Sequence, residues 1–175
     1  MMNLGGDERI YPASMTKIMT ALLTIENLPD LNETITVPED IFEELTAQDA
    51  SVAGFNPYEQ PTVRDLLYGV LLPSGADACE TLARAVGGSE EGFVAMMNQK
   101  AEELGLTNTH FENCTGLHND NHYSTCRDIA VLMSECLKSD TFREIVTREV
   151  YTTEATASHP EGITLYDTML HRFTS

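Results

Sequence analysis

The sequence predicts a mostly α-helical domain with a little β-structure near its C-terminal end. Apolar residues recur three and four positions apart over most of the chain, which is typical of amphipathic helices. Capping residues, glycines and prolines stand at the ends of these segments. An alternation with period two, typical of strands, begins only near residue 149. With 175 residues, 42% of them hydrophobic, the chain is long enough for one domain with a sizeable core.

Three helices are predicted in the first half of the chain. The first covers about residues 13–27, where one proline precedes the apolar pattern and another follows it. A short helix is predicted near residues 38–45, with acidic residues in its first turn. The third covers residues 62–72, and Thr62 and Asp65 have the spacing of a capping box at its start.

Four more helices are predicted after a break at Leu72-Pro73-Ser74-Gly75. They are expected at about residues 76–86, 89–104, 124–137 and 140–147. A loop rich in Asn, His, Thr and Gly occupies residues 107–123. The β-branched stretches at residues 149–156 and 163–166 are expected to pair with each other.

The charge of the chain excludes some classes of partner. It carries 28 acidic and 10 basic residues, for a formal net charge of −18. Such a chain repels phosphate backbones, so nucleic acid is not an expected partner, and it also repels an anionic membrane surface. No run is apolar enough for a transmembrane helix. Residues 1–8 show no signal-peptide pattern.

No cofactor or metal site is predicted. The four cysteines lack metal-binding spacing and are expected to be free, small and buried; they are Cys79, Cys114, Cys126 and Cys136. A disulfide between Cys114 and Cys126, which flank one loop, stays an open alternative. His118 and His122 could suggest a metal, but no further spaced ligands accompany them. A hydrogen-bonded loop packed beside the helices is the favoured interpretation.

The first candidate for chemistry is the pair Ser14 and Lys17 at the start of the first helix. Three residues of spacing put both side chains on one helix face, as a serine nucleophile and its lysine base require. Taken alone, the pattern is expected about once by chance in a chain of this length, and a cap-like serine with a solvated lysine explains it equally. However, Lys17 adjoins apolar residues, and desolvation favours a neutral amine. The helix dipole and the Ser14 backbone N–H could stabilise an oxyanion.

The second candidate is Ser74, in the turn between two helices. Taken alone, it is best interpreted as a helix N-cap. If it lies near Lys17, its hydroxyl could pass a proton to a leaving group. Asp77 and Asp128, near other predicted helix starts, are most simply interpreted as carboxylates favoured by the helix dipole.

Three stretches together make the chain resemble a known family. They are Tyr-Pro-Ala-Ser-Met-Thr-Lys-Ile-Met-Thr at residues 11–20, Asp-Leu-Leu-Tyr-Gly-Val-Leu-Leu-Pro-Ser-Gly at residues 65–75, and Thr-Gly-Leu-His with Asn-His-Tyr-Ser-Thr within residues 115–125. In this order and spacing they resemble the serine-type D-alanyl-D-alanine carboxypeptidases, the low-molecular-mass penicillin-binding proteins. The resemblance covers nearly the whole chain. It implies the helical portion of the α+β fold shared by β-lactamases and penicillin-binding proteins, lacking most of the sheet.

The resemblance also implies roles for the candidate residues. Ser14 would attack the carbonyl between the two terminal D-alanines of a peptidoglycan stem peptide, with Lys17 as base. Ser74 would pass a proton to the departing D-alanine, and β-lactams would acylate Ser14. Members of the family act outside the cytoplasm, facing the cell wall, and often carry a C-terminal membrane tether.

The sequence departs from the family pattern in two places. The second motif usually ends in Asn, and Ala76 stands there; a missing donor of this kind typically lowers the rate by about 10²–10³-fold. The third motif, Lys-Thr-Gly, is absent, because none of the three lysines precedes Thr-Gly. Residues 1–175 are therefore expected to form one unit, a partial catalytic domain without the family's N-terminal and third-motif strands. Its end at residues 172–175 is expected near the approach to that motif.

Several alternatives follow from these departures. The chain alone is expected to be weakly active or inactive as a carboxypeptidase. A β-lactamase of the same fold is one alternative, and a non-catalytic module that binds cell-wall peptide is another. A helical unit without its sheet would expose apolar surface, so a homodimer is also plausible.

Overall fold

The computed structural model describes residues 5–168, and it confirms a mostly helical architecture. Predictions that concern residues 1–4 and 169–175 lie outside this range. Seven α-helices form within it: α1 Thr16–Asn27, α2 Ile41–Ala47, α3 Val63–Leu71, α4 Ala76–Gly87, α5 Glu90–Glu103, α6 Cys126–Cys136 and α7 Asp140–Val146. All seven were predicted. The largest differences are that α1 and α2 each begin three residues later than expected: a 3-10 turn, Ala13–Met15, precedes α1, and Asp40 is the N-cap of α2.

Side-chain caps explain where most of these helices start. The predicted capping box at α3 is present: the Thr62 hydroxyl accepts from the Asp65 amide at 3.1 Å, and the Asp65 carboxylate accepts from the Thr62 amide at 3.1 Å. Ser89, Thr125 and Ser139 cap α5, α6 and α7 in the same way, each accepting an amide of the first turn. Such caps satisfy amides that have no partner within the helix.

Short strands form two pairs in the described residues. The predicted pair is β3, Val150–Thr152, antiparallel to β4, Thr164–Tyr166. The other pair was not predicted: β1, Arg9–Ile10, lies antiparallel to β2, Ser124–Thr125. Two residues are too few to show a period of two, so no sequence pattern indicates these strands.

Helix α1 lies at the centre of the fold, in contact with α3, α4, α5 and α6. Its buried apolar face includes Met19, Leu22 and Leu23. Burying side chains of this size stabilises the fold by about 1.5–3 kcal/mol each. The residues at the start of α1 are therefore carried by a central, well-buried helix. No helix among residues 5–168 is both long enough and apolar enough to span a bilayer.

The four cysteines are free, and three of them are buried. The prediction that all four are buried is wrong at Cys126, which is exposed. The buried face of α6 is formed by Asp128, Leu132 and Cys136, spaced four residues apart. Cys126 lies two residues before this stripe, and a two-residue offset rotates a side chain to the other side of the helix.

Asp65 also attaches the β3–β4 hairpin to the helices. One of its carboxylate oxygens accepts hydrogen bonds from the Tyr151 hydroxyl at 2.9 Å and from the Glu154 amide at 3.2 Å. The Tyr151 ring stacks on Tyr68 of α3 with 3.7 Å between ring centroids. A single buried carboxylate thus caps α3 and fixes the hairpin on it.

Candidate active site

Ser14 lies in a single 3-10 turn, Ala13–Met15, immediately before α1. It is exposed, as a nucleophile must be. The preceding residue, Ala13, has a backbone φ of 48°, a left-handed conformation that is unfavourable for a residue with a Cβ. Strain of this kind persists only where the surrounding structure enforces it, and it is often found at functional sites.

Ser74 contacts Ser14 directly. Its hydroxyl donates to the Ser14 Oγ at 3.0 Å. Its φ is 62°, so it too is a left-handed non-glycine residue. The interpretation of Ser74 as a helix N-cap is wrong: Gly75, with an extended backbone, is the N-cap of α4, and no side chain caps this helix. A residue that caps a helix with its side chain typically has an extended backbone, which Ser74 does not have.

Lys17 is buried beside the two serines, with 6% of its surface exposed. Its amine donates a 2.5 Å hydrogen bond to the backbone carbonyl of Thr115. Ser14, Lys17 and Ser74 line one cavity of about 560 Å³, together with apolar residues. The structure therefore brings the three predicted residues to one cavity, with the hydroxyls in contact and the amine bonded to the long loop.

The loop that follows α5 supplies contacts to α1 that the sequence did not reveal. Besides the Thr115 carbonyl, the Cys114 carbonyl accepts from the Thr20 hydroxyl at 2.7 Å. Gly116 packs so closely on the start of α1 that an added Cβ would lie 1.9 Å from the Ala13 carbonyl oxygen. In the sequence, only the glycine within this polar loop indicated a close backbone contact. The Thr115-Gly116 step is thus not a third-motif strand, but it does contact the candidate site.

Asp77 has a larger role than its sequence position indicated. It is fully buried, and its carboxylate accepts hydrogen bonds from the backbone amides of Ala53, Gly54 and Phe55 at 2.7, 3.0 and 3.0 Å. The simple dipole interpretation is therefore incomplete at Asp77. It is also incomplete at Asp128, which accepts from the Asn108 amide at 2.9 Å and the Thr109 hydroxyl at 2.8 Å. Both residues attach distant loops to helix starts.

The two loop histidines have different environments. His118 is exposed, pairs with Asp120 at 3.2 Å and meets the Tyr11 ring edge-on. His122 is buried and bonds to Thr16 and to the backbone of Glu112. Both take part in hydrogen bonds of the loop, as the favoured interpretation expected.

One cluster in the described part of the chain has atoms that could ligate a metal: Glu80, Glu90 and Cys114 place one such atom each within 4.8 Å of one another. No sequence pattern marks this cluster, because its residues come from different elements. Burial, with the nearby Glu90 carboxylate, raises the pKa of Glu80 to about 7. Burial also raises the pKa of the Cys114 thiol, which donates to Glu80 at 3.3 Å. The Cys114 thiol therefore acts as a hydrogen-bond donor inside the cluster.

Comparison with known proteins places these features in context. A family model described as D-alanyl-D-alanine carboxypeptidase matches residues 1–168. The D-alanyl-D-alanine carboxypeptidase DacF of Bacillus subtilis is 41% identical over 155 residues, which are 88% of this chain and 40% of that protein. A D-alanyl-D-alanine carboxypeptidase of Streptomyces sp. K15 is 38% identical over 154 residues, which are 83% of this chain and 53% of that protein.

Solved structures give the same result for the fold. The Streptomyces K15 DD-transpeptidase matches 97% of this chain with a TM-score of 0.86 and 34% identity, over 69% of its own chain. Penicillin-binding protein 6B of Escherichia coli matches 92% of this chain with a TM-score of 0.81 and 29% identity, over 51% of its chain. The predicted fold class is confirmed. The chain spans 40% of the Bacillus relative's length and 53% of the Streptomyces relative's.

Proposed function

Because this chain belongs to the D-alanyl-D-alanine carboxypeptidase family, we propose that it carries the acylation centre of a serine-type D-Ala-D-Ala carboxypeptidase. The substrate is a peptidoglycan stem peptide that ends in D-Ala-D-Ala, and β-lactams are inhibitors at the same serine. The observation that carries the proposal is the 3.0 Å contact between Ser14 and Ser74 in the cavity that also holds the buried Lys17.

Each residue has one role in the proposed reaction. The Ser14 Oγ attacks the carbonyl carbon between the two D-alanines while its proton passes to the Lys17 amine. The C–N bond then breaks, and Ser74 relays a proton to the departing D-alanine amine. Water hydrolyses the resulting ester on Ser14 and restores the hydroxyl. The contact between the two hydroxyls supports this relay.

The 175-residue chain alone is proposed to be weakly active or inactive as a carboxypeptidase, while Ser14 is still acylated slowly by a penicillin. Ala76 offers a buried methyl group where the family pattern has an amide. None of the three lysines precedes Thr-Gly, so no Lys-Thr-Gly strand completes the cavity. An absent preorganised donor typically lowers the rate by about 10²–10³-fold. We propose that residues 1–175 are one part of a larger catalytic domain.

The test is to map adducts after prolonged incubation with a fluorescent penicillin. Trypsin cleavage after Arg9 and Lys17 releases an eight-residue peptide, Ile10 to Lys17, whose single serine is Ser14. We expect slow labelling of this peptide and no labelling of it in Ser14→Ala. The Ser51→Ala variant is the matched control, because Ser51 lines the same cavity. An adduct that survives Ser14→Ala, or no adduct on the folded chain, contradicts the proposed nucleophile, and rapid stoichiometric labelling contradicts the weak activity.

Two further measurements on the same variants separate the alternative functions. Continuous turnover of penicillin would favour a β-lactamase of this fold. Binding of a D-Ala-D-Ala peptide that persists in Ser14→Ala, without hydrolysis, would favour a non-catalytic cell-wall peptide-binding module. For either enzyme we propose an extracytoplasmic location facing the cell wall, and membrane association of the whole protein.

A homodimer of the 175-residue chain is the second part of the proposal. The cavity has apolar lining residues, and two large side chains beside it, Met15 and Val146, are 39% and 38% exposed. Burying such a surface against a second copy would be favourable. Light scattering after size-exclusion chromatography should give a dimer at micromolar concentration, and Val146→Glu should shift it to a monomer. Tyr58→Glu, a change at an exposed residue that does not line the cavity, should leave the dimer intact. A wild-type monomer contradicts the homodimer.

A further inference from the structure

His122 lies in the long loop that follows α5 and contacts Thr16, which stands between Ser14 and Lys17 in the sequence. It is 2% exposed. Its Nε2 lies 2.7 Å from the Thr16 hydroxyl, and its Nδ1 accepts a 3.0 Å hydrogen bond from the Glu112 backbone amide. Thr16 is fully buried and is the first residue of α1. Both ring nitrogens are therefore engaged, one with the loop itself and one with α1.

The direction of these bonds defines the protonation of the ring. A backbone N–H can only donate, so the Nδ1 that accepts it must carry a lone pair. In a neutral imidazole the proton is then on Nε2, which donates to the Thr16 Oγ1. Burial lowers the pKa of His122 to about 4; the nearby Glu112 charge opposes this effect and His110 adds to it. The ring is thus a neutral donor at neutral pH.

A small displacement of Thr16 would change the relative positions of Ser14 and Lys17. Ser14 is two residues before it and Lys17 is one residue after it, so the three side chains share a single turn. The Lys17 amine is held by the Thr115 carbonyl of the same loop. The turn is therefore attached to the loop by two side-chain bonds, one of which comes from His122.

We infer that His122 is a positioning residue: as a neutral Nε2–H donor to Thr16 it fixes the first turn of α1, and with it the relative placement of Ser14 and Lys17. The catalytic consequence rests on the proposed function. The placement itself does not, because it can be measured in the chain without any substrate. We therefore expect that removal of the His122 donor loosens the first turn of α1 more than it loosens the other helices.

Four variants separate this role from general packing. His122→Leu removes the donor, Thr16→Val removes the acceptor at constant shape, and His122→Gln keeps an N–H donor near the Nε2 position. His118→Leu is the matched control, a histidine of the same loop with an exposed side chain. Amide hydrogen exchange is followed at Met15 and Thr16, whose amides bond to the backbone of Pro12 and Ala13.

We expect His122→Leu and Thr16→Val each to raise exchange at these two amides by about 3- to 10-fold, as loss of one hydrogen bond implies. The double variant should be no worse than either single one. His122→Gln should stay near the wild type, and His118→Leu should have no effect. Nitrogen-15 spectra of the wild-type ring should show the Nε2–H tautomer, with protonation only near pH 4.

The inference is overturned if the ring carries its proton on Nδ1 or titrates near the ordinary value of about 6.5. It is also overturned if His122→Leu accelerates exchange equally in all helices, since that marks a purely structural residue, or if it changes nothing. Penicillin labelling of Ser14 is measured in the same samples. If no sample labels, the proposed function fails while the exchange and tautomer results still decide the role of His122.

Discussion

A Gly116→Ala substitution should destabilise the protein by about 2–5 kcal/mol, because the added Cβ would collide with the backbone that carries Ser14. That Cβ would lie 1.9 Å from the Ala13 carbonyl oxygen and 3.1 Å from the Ser14 nitrogen. Neither is the end of a flexible side chain, so the loop or the 3-10 turn must move. The φ of Gly116, 87°, adds strain of its own. Urea denaturation measures the loss of unfolding free energy.

Gly105→Ala is the matched control for this prediction. Gly105 also has a left-handed backbone, with φ of 71°, but an added Cβ there meets no atom within 4 Å. Gly105→Ala should lower the unfolding free energy only by the strain of a left-handed alanine, about 1–2 kcal/mol. If the two variants lose equal stability, the close contact between Gly116 and Ala13 is not a determinant of the fold.

Local signals in the sequence were sufficient to predict the helices. The capping box of Thr62 and Asp65 and the cap at Ser89 act within one turn, so the residues that define a helix start lie side by side in the chain. The β1–β2 pair gave no such signal. Its strands are two residues long and more than a hundred residues apart, and only tertiary packing brings them together.

In the candidate site, too, some residues could be predicted from the sequence and others could not. Ser14 and Lys17 could be predicted from spacing on one helix, and Ser74 from its turn between two predicted helices; the family resemblance added their roles. The partners that hold them could not be predicted. Thr115 contributes a backbone carbonyl, which every residue type has, so no residue pattern marks it. The left-handed backbone of Ser74 had no sequence signal either. It precedes the start of α4, where the Ala76 amide donates to the Ser51 carbonyl of a distant segment.

Asp77→Ala should be the other strongly destabilising change, with a loss of about 3 kcal/mol. It removes the acceptor of three backbone amides, those of residues 53–55, in a buried place. Buried donors left without a partner each cost about 1–3 kcal/mol, and partial rehydration offsets some of the sum. Because Gly75 lies against both Ala53 and Asp77, the turn that carries Ser74 should loosen as well. Chemical denaturation and amide exchange at residues 53–55 measure the two effects.

Asp140→Ala separates this role from the helix dipole. Asp140 also lies in the first turn of a helix, α7, but its side chain is 95% exposed. If the dipole were the main contribution of Asp77, both variants would lose about 0.3–1 kcal/mol. We expect instead that Asp77→Ala loses at least three times as much unfolding free energy as Asp140→Ala. Only the change at Asp77 removes three charge-assisted hydrogen bonds to backbone amides. Asp77→Asn should fall between the two, since its amide keeps one acceptor oxygen and introduces a donor that faces other donors.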